Sequence, residues 1–156
     1  MIDITIPGRG SYQFKYLVLD LNGTIALDGG VISGVAEQLC QLGRLVDISI
    51  VTADTQGSAS RLELELGPKI DKIEPGTEDA QKLALVKQLG EKNTICIGNG
   101  SNDASMLRES ALGICVLGTE GAATEAILSA DVVVGDINAA LELLLKPDRL
   151  VATWRK

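Results

Sequence analysis

The sequence contains no histidine. That excludes Ser-His and Cys-His nucleophile pairs and any His-ligated zinc. Acid–base or covalent chemistry must therefore come from Asp, Glu, Lys, Ser, Thr or Cys. Aromatic residues are scarce, at 3% of 156. The core must be built from Leu, Ile, Val and Ala, which favours a parallel sheet covered by helices over an all-β sandwich. No apolar run reaches the roughly 18 residues of a transmembrane helix. The start, "MIDITIPGRG", lacks the charged end and long apolar stretch of a signal peptide. Basic charge is also short: the formal net charge is −7, and the only basic run is the terminal Arg155-Lys156. Phosphate backbones need clustered Lys and Arg, so a nucleic-acid partner is not expected. The three cysteines, Cys40, Cys96 and Cys115, are odd in number and match no metal-site spacing. They read as buried, reduced thiols of a cytoplasmic protein.

What is present suits one domain spanning residues 1–156 with one core. "IDITI" alternates and stops at the turn cluster "PGRGS", which predicts a β-hairpin leading into a buried strand near residues 15–20. Asp28-Gly29-Gly30 between short apolar pieces predicts a second, small hairpin. Strands then alternate with helices to residue 145. Ser33 and Thr77 read as helix N-caps, and Gly67 and Gly90 as helix stops. "EGAATEAILSA" reads as a helix, and Pro147 ends the helix "INAALELLL". This alternation implies βαβ units in a doubly wound, three-layer α/β fold with a parallel sheet.

In such sheets ligands bind at the carboxyl ends of the strands. Three strands finish in polar clusters: Asp20 and Asn22; Thr52 and Asp54; Asn99, Asn102 and Asp103. Lys82 can reach the same edge from a helix. The physical reading is a magnesium and phosphate site. Asp20 and Asp103, with carbonyl oxygens, offer a hard oxygen cage for Mg²⁺. Gly23 and Thr24 turn the backbone so that N–H groups can point at phosphate oxygens. Lys82 supplies a compact positive charge. An Asp nucleophile is plausible when a metal and a lysine offset the repulsion between two anions.

These residues also carry a family likeness. "DLNGT" resembles the DxDGT nucleophile motif of the haloacid dehalogenase superfamily, and "IVTAD" resembles its second motif. Lys82 resembles the third-motif lysine, and "GNGSNDASML" the fourth motif. Within the superfamily the chain resembles soluble proteins related to the phosphorylation domain of P-type ATPases. The resemblance implies a capless Rossmann-like core. Asp20 would attack phosphorus and form a phosphoaspartate. Thr52 would hydrogen-bond a phosphoryl oxygen, Lys82 would balance charge, and Gly23, Thr24 and Ala53 would complete the phosphate pocket. Mg²⁺ would sit between Asp20, the backbone carbonyl of Asn22, Asn99 and, through water, Asp103. "TIALDGGVI" matches the family's flap hairpin. The expected partner is a small phosphorylated substrate or nucleotide.

Asn22 stands where phosphatases of the superfamily carry a general acid, and Asn99 replaces an acidic metal ligand. Both substitutions point to slow turnover and a weaker metal site. Each residue also has a plain structural use: Asn22 as turn-former, Thr52 as N-cap, Lys82 as a solvated face residue, Asp103 as a helix-start acid. Three functions follow. They are a Mg²⁺-dependent phosphohydrolase, an ATPase-like phosphoacceptor, and a binding module that turns over nothing. No cap covers the pocket, so the N-terminal hairpin and the apolar tail with Trp154 are expected to serve a homo-oligomeric interface.

Overall fold

The computed structural model of the chain describes residues 1–53 and 57–156. Asp54, read above with Thr52, lies outside the described residues. The chain opens with strands β1 (Ile2–Ile6) and β2 (Gly10–Phe14), paired antiparallel. Alternation turns Ile2, Ile4 and Ile6 inward, as the sequence pattern requires. Strand β3 (Tyr16–Asp20) follows. The small hairpin is β4 (Ala26–Leu27) and β5 (Gly30–Val31). Asp28 and Gly29 join them with φ of 50° and 77°. Two positive φ values make the tight two-residue turn for which Asp-Gly is suited.

The remaining elements alternate. They are α1 (Val35–Leu42), β6 (Asp47–Thr52), α2 (Ala59–Leu66), β7 (Ile70–Lys72), α3 (Glu78–Leu89), β8 (Thr94–Gly98), α4 (Ala104–Glu109), β9 (Leu112–Val116), α5 (Thr124–Ser129), β10 (Val132–Val134), α6 (Ile137–Leu145) and α7 (Pro147–Trp154). Six strands form one parallel sheet in the order β10–β9–β8–β3–β6–β7. Side-chain alternation divides the core between its faces. Leu17, Leu19, Ile50, Ile95 and Ile97 join one cluster with α1, α2, α6 and α7. Val18, Val51, Cys96 and Cys115 join the other with α3, α4 and α5. A sheet covered on both faces explains why β3, β8 and β9 are continuous apolar runs. Among the described residues no further domain is inserted, so the core is capless.

Several local expectations are revised. Ser33 is not the cap of α1; Gly34 is, in a left-handed conformation and with no side-chain hydrogen bond. Helix α5 begins at Thr124, leaving residues 117–123 as a loop with Gly118 and Gly121 at positive φ. Pro147 ends α6 and also starts α7, where its fixed φ and missing N–H suit the first helical turn. Trp154 does not face outward. It packs 4.9 Å from the Tyr12 ring, beneath the Arg9 guanidinium, and Arg9 Nε donates to the Trp154 carbonyl at 2.6 Å. The tail thus closes the N-terminal hairpin of its own chain. Cys96 and Cys115 are buried and unpaired, while Cys40 is exposed because it lies off the apolar stripe of α1. No helix among the described residues is long and apolar enough to cross a membrane.

Candidate active site

The central strand β3 lies between β8 and β6, with Leu19 opposite Ile97 and Asp20 opposite Val51. That register brings Asp20, Thr52 and Asn99 together at the carboxyl edge. They line an open cleft of about 290 Å³ with Asn22, Ala53, Lys82, Gly100, Asn102 and Glu120.

Lys82 is the hub. Although α3 is amphipathic only weakly, its lysine is turned inward and is 1% exposed. This removes the reading of Lys82 as a solvated face residue. Its Nζ lies 2.8 Å from Asp20 Oδ1 and 2.6 Å from Asp103 Oδ1. Burial works to lower the lysine pKa, but the Asp20 and Asp103 carboxylates outweigh it and hold the value above normal. Asp20 behaves oppositely. Burial, reinforced by the charge of Asp103, pushes its carboxyl from the ordinary 3.8 up to about 7, while Lys82 and the Thr24 hydroxyl pull it back.

Asp103 differs from its expected place among the metal ligands. It is fully buried and does not line the cleft. One oxygen takes Lys82; the other accepts the N–H groups of Asn99 and Gly100 at 3.0 and 2.9 Å. Its carboxylate organises the turn after β8 and anchors the lysine. Gly23 and Thr24 are likewise corrected. The Gly23 N–H donates to the Ala26 carbonyl at 2.8 Å and the Thr24 N–H to the Leu21 carbonyl at 3.4 Å. The tight turn after β3 uses both amides, so neither points at a phosphate. Thr24 instead presents its buried hydroxyl, 3.2 Å from both Asp20 Oδ2 and Asn99 Oδ1. Asn22 is exposed at the rim and donates through Nδ2 to Thr52 Oγ1 at 3.2 Å.

The set suits a hard cation. A hydroxyl has one proton, so Thr24 cannot satisfy Asp20 Oδ2 and Asn99 Oδ1 together. Two oxygen acceptors therefore converge with one donor between them. The Asn99 amide is oriented for this, since its Nδ2 donates to the Gly121 carbonyl at 3.1 Å. The charge is modest: among the described residues no group of three His, Cys, Asp or Glu side chains is arranged to hold a metal ion. Oxygen donors of this kind are those that a hard divalent cation takes.

Glu120 is the residue that the sequence reading missed. It was absorbed into a predicted helix, although Gly118 and Gly121 flank it and β9 ends at the same sheet edge. Those glycines were the available signal.

Known proteins agree with this architecture. A family model for haloacid dehalogenase-like hydrolases matches residues 77–140. An uncharacterized protein of Methanocaldococcus jannaschii is 48% identical over 91 residues, covering 56% of this chain and 98% of that protein. A phospholipid-transporting ATPase of Schizosaccharomyces pombe is 39% identical over 69 residues, or 44% of this chain and 5% of the ATPase. Among solved structures, the magnesium- and phosphate-bound 3-deoxy-D-manno-octulosonate 8-phosphate phosphatase of Moraxella catarrhalis superposes with a TM-score of 0.70 at 21% identity, covering 91% of this chain and 94% of that one. At that identity the likeness speaks for the fold. Sheet order and superposition agree on the fold, and residues 77–140 match the haloacid dehalogenase-like hydrolase family.

Proposed function

We propose that this protein is a cytoplasmic, Mg²⁺-dependent phosphohydrolase that works through a phosphoaspartate on Asp20. The observation that carries the reading is the Asp20–Lys82 pair, at 2.8 Å, on the carboxyl edge of the central strand. A carboxylate buried beside an ammonium and facing a cleft is a nucleophile with its charge offset. Asp20 attacks phosphorus, and the bond from phosphorus to the ester oxygen breaks. That oxygen leaves toward the cleft mouth and takes a proton from solvent. Water then attacks the phosphoaspartate, releasing phosphate and restoring Asp20. Lys82 holds Asp20 in position and offsets the added negative charge. Thr52 and Ala53 border the phosphoryl oxygens. Asp20, the Asn22 carbonyl and Asn99 would hold Mg²⁺, which supplies Lewis-acid stabilisation of the transferring group. Substrates are small phosphate esters, acyl phosphates or nucleotides. Hydrolysis of p-nitrophenyl phosphate with Mg²⁺ tests this, wild type against Asp20→Asn. Activity that survives the substitution sinks the reading.

One observation favours a second reading, a long-lived phosphoenzyme. The side chain of Asn22 is an amide that donates to Thr52, so it can neither protonate a leaving group nor activate water. Acid-quenched protein carrying label from γ-labelled ATP would separate this reading from simple hydrolysis. Absence of both label and turnover would leave a binding module.

A further inference from the structure

The rim of the cleft carries a charge that the catalytic core does not use. Glu120 is exposed and lines the same cleft as Asp20, Asn22 and Lys82. Its carboxylate leans over the turn after β3: a Cβ placed on Gly23 would lie 2.3 Å from Glu120 Oε2. Gly23, at φ 79°, is thus the residue that lets this carboxylate approach.

The position is built rather than incidental. The loop carrying Glu120 starts where the Leu117 and Gly118 N–H groups donate to the Val134 and Gly135 carbonyls, each at 3.0 Å. It ends where the Ala123 N–H donates to the Asn99 carbonyl at 2.8 Å, and its middle is held by the Asn99 side chain on the Gly121 carbonyl. Among the described residues Glu120 itself has no hydrogen-bond or ion-pair partner, so its charge is open to whatever enters.

The reaction geometry decides what it meets. In-line transfer to Asp20 sends the leaving oxygen away from the sheet edge. The rest of the substrate therefore lies at the mouth, among Asn22, Asn102 and Glu120. Lys82 is the one cation among the described lining residues, and it is buried beneath between two carboxylates. Among the described lining residues no cationic side chain stands at the mouth to meet a second phosphate or a carboxylate, whereas an ammonium would find Glu120.

We propose that Glu120 makes this cleft favour phosphate monoesters whose leaving portion carries a positive charge over those whose leaving portion is anionic. The inference rests on the reading of the cleft as a phosphoester site. Exchanging an ammonium for a carboxylate several ångströms from one exposed charge shifts affinity about tenfold at low salt. Because the charge is exposed, roughly 0.5 M salt removes most of that preference.

The test is titration calorimetry of the full chain in Mg²⁺ with aminoethylphosphonate and carboxyethylphosphonate, whose P–C bond phosphoryl transfer does not cleave. Wild type is expected to bind the amine about tenfold more tightly. The ratio should approach one in Glu120→Gln and invert in Glu120→Lys. Equal affinities in wild type, no binding of either phosphonate, or a preference unchanged in Glu120→Gln would overturn the inference. Failure of inorganic phosphate itself to bind would overturn the phosphoester reading as well, whereas phosphate binding without a charge preference overturns only the role of Glu120.

Discussion

Lys82 Nζ stands 2.6 Å from Asp103 Oδ1, and neither side chain reaches solvent. With Asp20 on its other side, the lysine is the shared counter-charge of two buried carboxylates. Removing it leaves those charges uncompensated. Lys82→Met should cost about 3–5 kcal/mol at neutral pH and abolish phosphatase activity. The loss should shrink near pH 5, where Asp20 takes up a proton. Urea midpoints at both pH values check this; a midpoint equal to wild type at pH 7 would contradict it.

Asp20 links stability to pH in the unusual direction for a carboxyl. Its folded pKa of about 7 lies above the ordinary 3.8. Between those values the folded chain holds a proton that the unfolded chain releases. The stability this group contributes is full below about pH 4 and disappears as pH rises through about 7, at roughly 1.4 kcal/mol per pH unit at most. Asp20→Asn lacks that titration. In metal-free buffer the variant should therefore gain on wild type from pH 5 to about pH 7 and level off above it. A difference that stays flat with pH would count against a raised Asp20.

Asn22→Asp restores a carboxyl group at the rim. Alkyl phosphates, whose leaving oxygen needs a proton, should be hydrolysed about 10²–10⁴-fold faster, and aryl phosphates much less so. Equal gains for both classes would show that protonation of the leaving group is not what Asn22 withholds.

Asn99→Asp should lower the Mg²⁺ concentration for half-maximal activity, because the new donor brings charge to the cage. It should also loosen the loop over residues 117–123. The donor to the Gly121 carbonyl is lost, at about 1 kcal/mol of stability. Unchanged metal dependence would exclude Asn99 as a ligand.

Much of this was legible in the chain. Period-two and helical spacing marked the strands and helices, and the apolar run stopping at Asp20 marked the central strand's carboxyl end. The Asp-Gly turn announced the small hairpin. Lys82 was placed at the edge by its helix preceding β8 and again by the family likeness, although the apolar spacing of that helix is weak. Glu120 was hidden because "EGAATEAILSA" has helix-forming composition, and only the flanking glycines contradicted it.

By itself the sequence determined the class of fold, a parallel sheet covered on both faces, and the identity of the carboxylate at its edge. Those follow from local periodicity and from where apolar runs end. Which oxygen each polar group serves was decided by tertiary structure alone. Asp103 turned inward to Lys82 and two backbone amides, Thr24 came to offer its hydroxyl rather than its N–H, and Trp154 closed on Tyr12. Hydrogen-bond partners are distant in sequence and carry no periodicity, so they are settled only when the elements pack.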